Sequence, residues 1–137
     1  MKDKKLYFGH PVNTYNTKKE LELAEIIQKE FPDHLLENPN HPRHQEAYRE
    51  WKERTGNGMD YFFTQVLPLM SAGIFLPFTD RMFGAGVFGE AAFIAARKKP
   101  VYEISYAGKI VKLKIEPARA LSIEQTRERL AQPKEFF

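Results

Sequence analysis

The residues whose types and spacing best fit chemistry lie mid-chain, where a glutamate closes a run of glycines, Gly84-Ala-Gly-Val-Phe-Gly-Glu90. Glycines let a ligand approach the backbone closely, and the run leads into an Ala-rich segment that predicts a helix. The positive end of that helix is expected to favour the ionised form of Glu90. An ionised, oriented carboxylate in an apolar pocket is suited to attack an electrophilic sugar carbon. The alternative is a glutamate that only stabilises the start of the helix.

The same run matches the G-x-G-x-x-G pattern of dinucleotide-binding sites. Such a site requires the pattern directly after the first strand, with an acidic residue about 20 positions further on at a strand end. Here the run follows a late strand, and the next acidic residue, Glu103, lies inside a predicted strand. We therefore predict that the protein uses no cofactor.

Two further carboxylates, Asp60 and Asp80, lie in the same charge-poor stretch, residues 55–90, where Arg81 is the one Lys or Arg. Buried carboxylates are costly unless they have partners or a function. Asp60 begins a predicted helix, where it either caps the helix or accepts hydrogen bonds from ligand hydroxyl groups. Asp80 follows a predicted buried strand, where it is either a solvated turn residue paired with Arg81 or part of the site.

The distribution of charge argues against other classes of function. The net charge is +3, and the positive excess lies in residues 91–137. Lysines alternate there along a predicted edge strand, which protects such a strand from aggregation, so we predict no nucleic-acid partner. Cysteine is absent, and Pro42 argues against a helix that presents both rings of His41-Pro-Arg-His44 together. We therefore predict no metal site.

The apolar stretches and the first residues favour a cytoplasmic protein. Met1-Lys-Asp-Lys-Lys is followed by no apolar run of the kind that a signal peptide needs. Residues 59–78 are rich in apolar side chains but include an aspartate, a glycine and two prolines. A buried helix followed by a buried strand fits them better than a membrane span, so we predict no membrane partner.

Hydrophobic periodicity places the three carboxylates on an alternating α/β chain that forms a single domain over residues 1–137. The predicted strands are residues 6–9, 35–36, 73–78, 101–106 and 110–115, and the predicted helices are residues 17–31, 45–54, 59–70, 87–97 and 122–131. This order predicts a three-layer, open and mostly parallel sheet flanked by helices, with one antiparallel hairpin at an edge.

Ligands in such sheets bind beyond the carboxyl ends of the strands. Three predicted loops lie there, at residues 9–16, 38–45 and 79–86. This geometry is expected to bring His10, Gln45 and Asp80 towards Glu90.

Five segments carry a family resemblance. They are Lys4-Lys-Leu-Tyr-Phe-Gly9, Leu36-Glu-Asn38, Phe75-Leu-Pro-Phe78, Gly89-Glu-Ala-Ala92 and Lys99-Pro-Val101. In their order and spacing they resemble the nucleoside 2-deoxyribosyltransferase family over about residues 4–104. The resemblance implies a flavodoxin-like sheet, a 2′-deoxynucleoside and a free nucleobase as substrates, and a homo-oligomer whose subunits share pockets. The terminal Phe136-Phe137 is a candidate wedge between subunits.

The resemblance also implies roles for individual residues. Glu90 matches the nucleophile that attacks C1′ to form a deoxyribosyl-enzyme, which a second base or water resolves with net retention. Tyr7 matches the tyrosine that positions the nucleophile, and Asp60 the aspartate that binds sugar hydroxyls. Asp80 is nearest to the aspartate that contacts the base and assists leaving-group protonation, and Gln45 to a base-contacting glutamine. The substrate-binding set is Gly9, His10, Gln45, Asp80, Phe83, Gly84 and Gly86.

Two alternatives stay open. A 2′-deoxynucleoside 5′-phosphate N-hydrolase would need a phosphate-binding set near the first loop, for which Asn13, Thr14 and Arg81 are the candidates. A non-catalytic nucleotide-binding module would use the same pocket without bond cleavage.

Overall fold

A computed structural model describes residues 4–131 of the chain, apart from the side chain of Met59. Five strands form one sheet: β1 (Lys4–Gly9), β2 (His34–Glu37), β3 (Ala72–Phe75), β4 (Val101–Ile104) and β5 (Ile110–Lys112). Their order is β2-β1-β3-β4-β5. The first four strands are parallel, and β5 pairs with β4 in the antiparallel sense. The predicted fold class, a mostly parallel sheet with an antiparallel edge hairpin, is confirmed.

The helices are α1 (Lys18–Glu30), α2 (Pro42–Thr55), α3 (Met59–Tyr61), α4 (Ala85–Ala96) and α5 (Ile123–Leu130). Short 3-10 helices cover Val12–Thr14 and Pro117–Arg119. Ser122 caps the start of helix α5 and forms a capping box with Gln125. At the start of α1, the Thr17 side chain accepts the Glu20 N–H, while the Glu20 carboxylate faces the loop after β1.

Three helical segments differ most from the prediction. Helix α2 begins at Pro42 rather than at residue 45, because the first helical position needs no N–H donor. Helix α4 begins at Ala85 rather than at residue 87, so Gly86 lies in the helix and not in the loop. The predicted helix over residues 59–70 is broken: α3 passes into a π-helical turn, Phe62–Val66, and then a 3-10 turn around Pro68.

Each face of the sheet carries its own hydrophobic cluster. On one face, Leu6 and Phe8 of β1 pack with Leu23 and Ile27 of α1. On the other face, residues of β1 and β3 pack against α4 and the segment that follows α2; they include Tyr7, Phe62, Leu67, Phe75 and Ile94. Alternation along β1 therefore directs Tyr7 to the same side of the sheet as α4.

The switch in strand order positions the site. Strands β2 and β3 lie on either side of β1, so the loops that leave β1 and β3 diverge and open a crevice at their carboxyl ends. Helix α4 follows the loop after β3 and packs against β3 and β1. Among residues 4–131, no helix is long and apolar enough to cross a membrane.

Candidate active site

The centre of the site is a contact between Tyr7 and Glu90. Tyr7 lies on β1, and Glu90 lies on the second turn of α4 with its side chain turned towards the sheet. The Tyr7 hydroxyl donates a hydrogen bond of 2.6 Å to Glu90 Oε2. Tyr7 is 0% exposed and Glu90 is 7% exposed. The two residues that the family resemblance pairs are therefore in direct contact.

Burial decides the protonation state of this pair. It raises the pKa of Glu90 to about 8, and the hydrogen bond from Tyr7 offsets part of that rise. The expectation that the helix end keeps Glu90 ionised is wrong, because the loss of water around the carboxylate outweighs the favourable helix end. Burial, and then the charge of Glu90, also raise the pKa of Tyr7. The carboxyl group is therefore mostly protonated at neutral pH.

Gly9 allows this arrangement because it has no side chain. A Cβ at this position would lie 2.5 Å from Phe75 Cδ1 and 3.2 Å from Glu90 Oε1. The Phe75 ring fills that space instead, between the ends of β1 and β3. Gly9 is therefore placed beside the carboxyl group, and its contacts there are with protein atoms.

Beyond Glu90 lies a pocket of about 360 Å³. Its walls come from β1 and the loop after it, α2 and the loop before it, the π-helical turn, the segment between β3 and α4 together with α4, and α5. The lining residues are Tyr7, His10, Pro11, Val12, Tyr15, Pro39, Gln45, Tyr48, Phe62, Phe78, Gly84, Gly86, Val87, Glu90, Thr126 and Leu130. Most of this surface is aromatic or aliphatic, and Glu90 is the one carboxyl group among the lining residues that the structure describes.

A buried carboxylate, Glu20, fixes the two loops that form one side of the pocket. Its oxygens accept hydrogen bonds from His10 Nε2 at 2.7 Å, from the Asn16 N–H at 3.1 Å and from Asn40 Nδ2 at 3.0 Å. Burial alone would raise the pKa of Glu20, but these hydrogen bonds outweigh burial and the pKa is lowered. His10 also donates from Nδ1 to the Phe8 carbonyl oxygen, so its ring is held rigidly in the pocket wall.

The wall that carries Gln45 and Tyr48 rests on a second buried group. The His44 ring lies between Glu37 Oε1 and Tyr61 Oη, at 2.9 Å from each. Burial lowers the pKa of His44, so its neutral ring donates to the Glu37 carboxylate and accepts from Tyr61. Gln45 is oriented separately, through a hydrogen bond from Nε2 to the Pro39 carbonyl oxygen.

The His41–His44 pair thus has structural contacts. His41 caps the start of α2 and accepts the Arg43 N–H, whereas His44 is buried against Glu37. Across the described residues, no three His, Asp or Glu side chains are grouped so that they could hold a metal ion.

Four of the predicted site residues, Gly9, Asp60, Asp80 and Phe83, do not line the pocket. Asp60 is partly exposed near the start of α3, where its carbonyl oxygen accepts from Thr64. Asp80 pairs with Arg129 of α5 outside the pocket, through bonds of 2.9 and 2.5 Å, and not with Arg81. Phe83 is buried and forms a backbone bridge to Ala120. His10, Gln45, Gly84 and Gly86 do line the pocket, and Gly9 lies next to Glu90.

Several lining residues were not singled out from the sequence. Tyr15, Tyr48 and Phe62 supply aromatic surface, and Thr126 and Leu130 come from α5. Tyr15 lies in the first predicted ligand loop, so its position was the available signal. No signal in the sequence marks Thr126 as a lining residue, because its contact with Ala85 joins segments far apart in the chain.

Comparison of the chain with protein-family models, with curated proteins and with solved structures finds no match in any of the three.

Proposed function

We propose that this protein cleaves the N-glycosidic bond of 2′-deoxynucleosides and transfers the 2-deoxyribose to a second nucleobase, with Glu90 as the nucleophile. The observation that carries the proposal is the Tyr7–Glu90 contact at the inner end of an apolar pocket. Tyr7 engages Oε2, and the hydrogen bonds of the described residues leave Oε1 without a donor. Oε1 is then the oxygen available for attack on C1′.

The protonation of Glu90 fits the balance of this reaction. As Oε1 forms its bond to C1′, the C1′–N bond breaks and its electron pair stays on the base nitrogen. The proton that the carboxyl group gives up ends on that nitrogen, so a neutral carboxyl and a nucleoside yield a glycosyl ester and a free base. In the second half, the nitrogen of another base attacks C1′ from the opposite side, and its proton returns to Glu90. Two inversions give net retention.

The pocket wall supports an uncharged substrate. Tyr15, Tyr48, Phe62 and Phe78 offer aromatic and apolar surface for a planar base. The described lining residues include no lysine or arginine, and Arg81, a candidate phosphate ligand, is exposed outside the pocket. A 5′-phosphate would therefore meet no lysine or arginine of the described lining, which favours the nucleoside over the 5′-monophosphate that the N-hydrolase alternative requires.

Partners and location follow the same proposal. The substrates are a 2′-deoxynucleoside and a free nucleobase, and neither a cofactor nor a metal ion takes part. We propose a cytoplasmic homo-oligomer whose subunits share pockets. Phe136-Phe137, the candidate wedge, lies outside the described residues.

The decisive experiment tests base exchange together with the nucleophile. Incubation with deoxyinosine and adenine should give deoxyadenosine, detected by chromatography, and Glu90→Gln should lower the rate at least about a thousand-fold. Mass spectrometry should find a 2-fluoro-2-deoxyarabinosyl group on Glu90 after incubation with the corresponding nucleoside. Glu25→Gln, on the exposed face of α1, is the matched control and should exchange bases at the wild-type rate.

Other outcomes identify the alternatives. Release of base without exchange, faster from the 5′-monophosphate, would indicate the hydrolase. Binding without turnover, with Glu90→Gln unchanged, would indicate a nucleotide-binding module. Binding of an oligonucleotide that weakens steeply with salt would indicate a nucleic-acid partner, because that binding releases counterions.

A further inference from the structure

Helix α5 forms part of the pocket although it is weakly buried. Thr126 and Leu130 line the pocket, yet none of the residues of α5 is buried, and Ile123 is 64% exposed. Burial of apolar surface therefore holds α5 only weakly against the rest of the protein. Its polar contacts decide where this wall of the pocket stands.

The strongest of these contacts is the ion pair between Arg129 and Asp80. Arg129 donates from both terminal nitrogens, at 2.9 Å to Asp80 Oδ1 and at 2.5 Å to Oδ2. Its guanidinium carbon also lies 5.3 Å from the centre of the Phe78 ring, and Phe78 lines the pocket. A planar guanidinium that is bonded at two points fixes direction as well as distance.

A second contact joins α5 directly to the helix that carries Glu90. The Thr126 hydroxyl accepts the N–H of Ala85, the first residue of α4, at 2.9 Å. That N–H has no acceptor within its own helix. Gly84 makes room for the approach, because a Cβ there would lie 3.2 Å from Thr126 Cγ2.

We infer that Asp80 and Arg129 are positioning residues, whose ion pair holds α5 in place as the outer wall of the pocket. Asp80 then serves the site from outside the pocket, through Arg129, rather than by contact with the base. The inference rests on the proposed function for its kinetic readout, but not for its structural one.

The expected effect is on binding more than on the chemical step. Without the ion pair, α5 spends more time away from the pocket, and the apparent affinity falls with the fraction of molecules whose wall is in place. The Tyr7–Glu90 contact lies on β1 and α4 and involves neither Asp80 nor Arg129. The arrangement of the reacting groups should therefore survive in molecules that have bound substrate.

The test uses Arg129→Gln and Asp80→Asn in the full chain. Each should raise KM for deoxyinosine about five-fold, as expected for the loss of an exposed ion pair, and leave kcat within about two-fold. Arg129→Lys keeps the charge but loses the two-point contact, and should fall between wild type and Arg129→Gln. Arg127→Gln is the matched control: Arg127 is exposed on the same helix and forms no ion pair with the residues the structure describes, so its KM should equal that of wild type.

A second measurement is independent of activity. Amide hydrogen exchange at Ala85, followed by NMR, reports whether Thr126 stays in contact with α4, and it should be faster in Arg129→Gln than in Arg127→Gln. Unchanged exchange at Ala85 overturns the inference, and so does an unchanged KM when exchange is faster. Absence of base exchange and of Glu90 labelling in the wild type would instead refute the proposed function, and the exchange rates at Ala85 would still test the hold on α5.

Discussion

Glu90 and Asp80 both follow β3, one loop apart, and their surroundings give them opposite chemistry. Glu90 is 7% exposed, and the hydrogen-bond donor that it meets among the described residues is the neutral hydroxyl of Tyr7. The Asp80 side chain is 47% exposed and faces the positive charge of Arg129. Burial raises the pKa of Glu90, whereas the hydrogen bonds from Arg129 lower the pKa of Asp80.

The difference between these surroundings supports Glu90, and not Asp80, as the carboxyl group of the proposed reaction. A carboxylate paired with arginine at two points is held and neutralised by that partner. A buried carboxyl group with a neutral partner keeps an oxygen and a proton for a substrate, at a cost in stability whenever it ionises. The comparison supports the proposals that the Tyr7–Glu90 pair is the reactive end of the pocket and that the Asp80–Arg129 pair is structural support.

The largest expected effect is on how stability depends on pH. The native pKa of Glu90, about 8, lies above its usual value of 4.5, so the folded state holds the proton more tightly than the unfolded chain. Ionisation of Glu90 therefore costs stability progressively as pH rises from about 4.5 to about 8. Glu90→Gln removes that cost. The free energy of unfolding of the variant, relative to that of wild type, should therefore rise by at most about 5 kcal/mol between pH 4.5 and pH 8.5. Urea unfolding at a series of pH values measures this difference.

Because the comparison is a difference between two proteins, the other titrating groups cancel. Glu25→Gln, on an exposed face of α1, should show no such widening with pH. A constant offset between wild type and Glu90→Gln across the whole range would contradict the assignment of a protonated, buried carboxyl.

Much of the fold follows from local patterns in the sequence. Apolar runs and alternation predict all five strands, and Thr17 and Ser122 predict where α1 and α5 begin. These features depend on the backbone preferences of neighbouring residues, which a sequence shows directly. The π-helical turn at Phe62–Val66 could not be predicted in this way, because it depends on how that segment packs against β1 and β3.

The candidate site likewise has features that the sequence predicts and features that it does not. The gathering of His10, Gln45 and Glu90 follows from strand order, because the carboxyl ends of parallel strands share one edge of the sheet. The partner of Asp80 could not be predicted, because Arg129 reaches it from a helix 49 residues further along the chain. The sign of the pKa shift of Glu90 also needed the structure, because burial depends on contacts made by distant parts of the chain.

The next effect tests how closely the reactive end is packed. Gly9→Ala puts a methyl group 2.5 Å from the buried Phe75 ring and beside Glu90, and should lower the free energy of unfolding by about 1–3 kcal/mol. Gly89→Ala is the matched control on α4, where the new Cβ would lie 3.7 Å from Phe63, an ordinary contact. It should raise stability by about 0.5–1 kcal/mol, because alanine suits a helix better than glycine. Equal effects of the two substitutions would mean that the end of β1 is more loosely packed than the structure indicates.

The smallest effect is expected at the Asp80–Arg129 end, and its pH dependence should have the opposite sign. Asp80→Asn keeps an acceptor for the Met82 N–H but removes the charge that Arg129 faces. Because the pair is exposed, the substitution should lower the free energy of unfolding by about 0.2–1 kcal/mol at pH 7, and this difference should shrink in 1 M salt. The lowered pKa of Asp80 means that this contribution is present above about pH 4 and is lost as pH falls through the native pKa. Thermal unfolding of wild type and Asp80→Asn at pH 7 and pH 2.5 tests this, and a difference that grows towards acid would show that Asp80 is not held by Arg129 in solution.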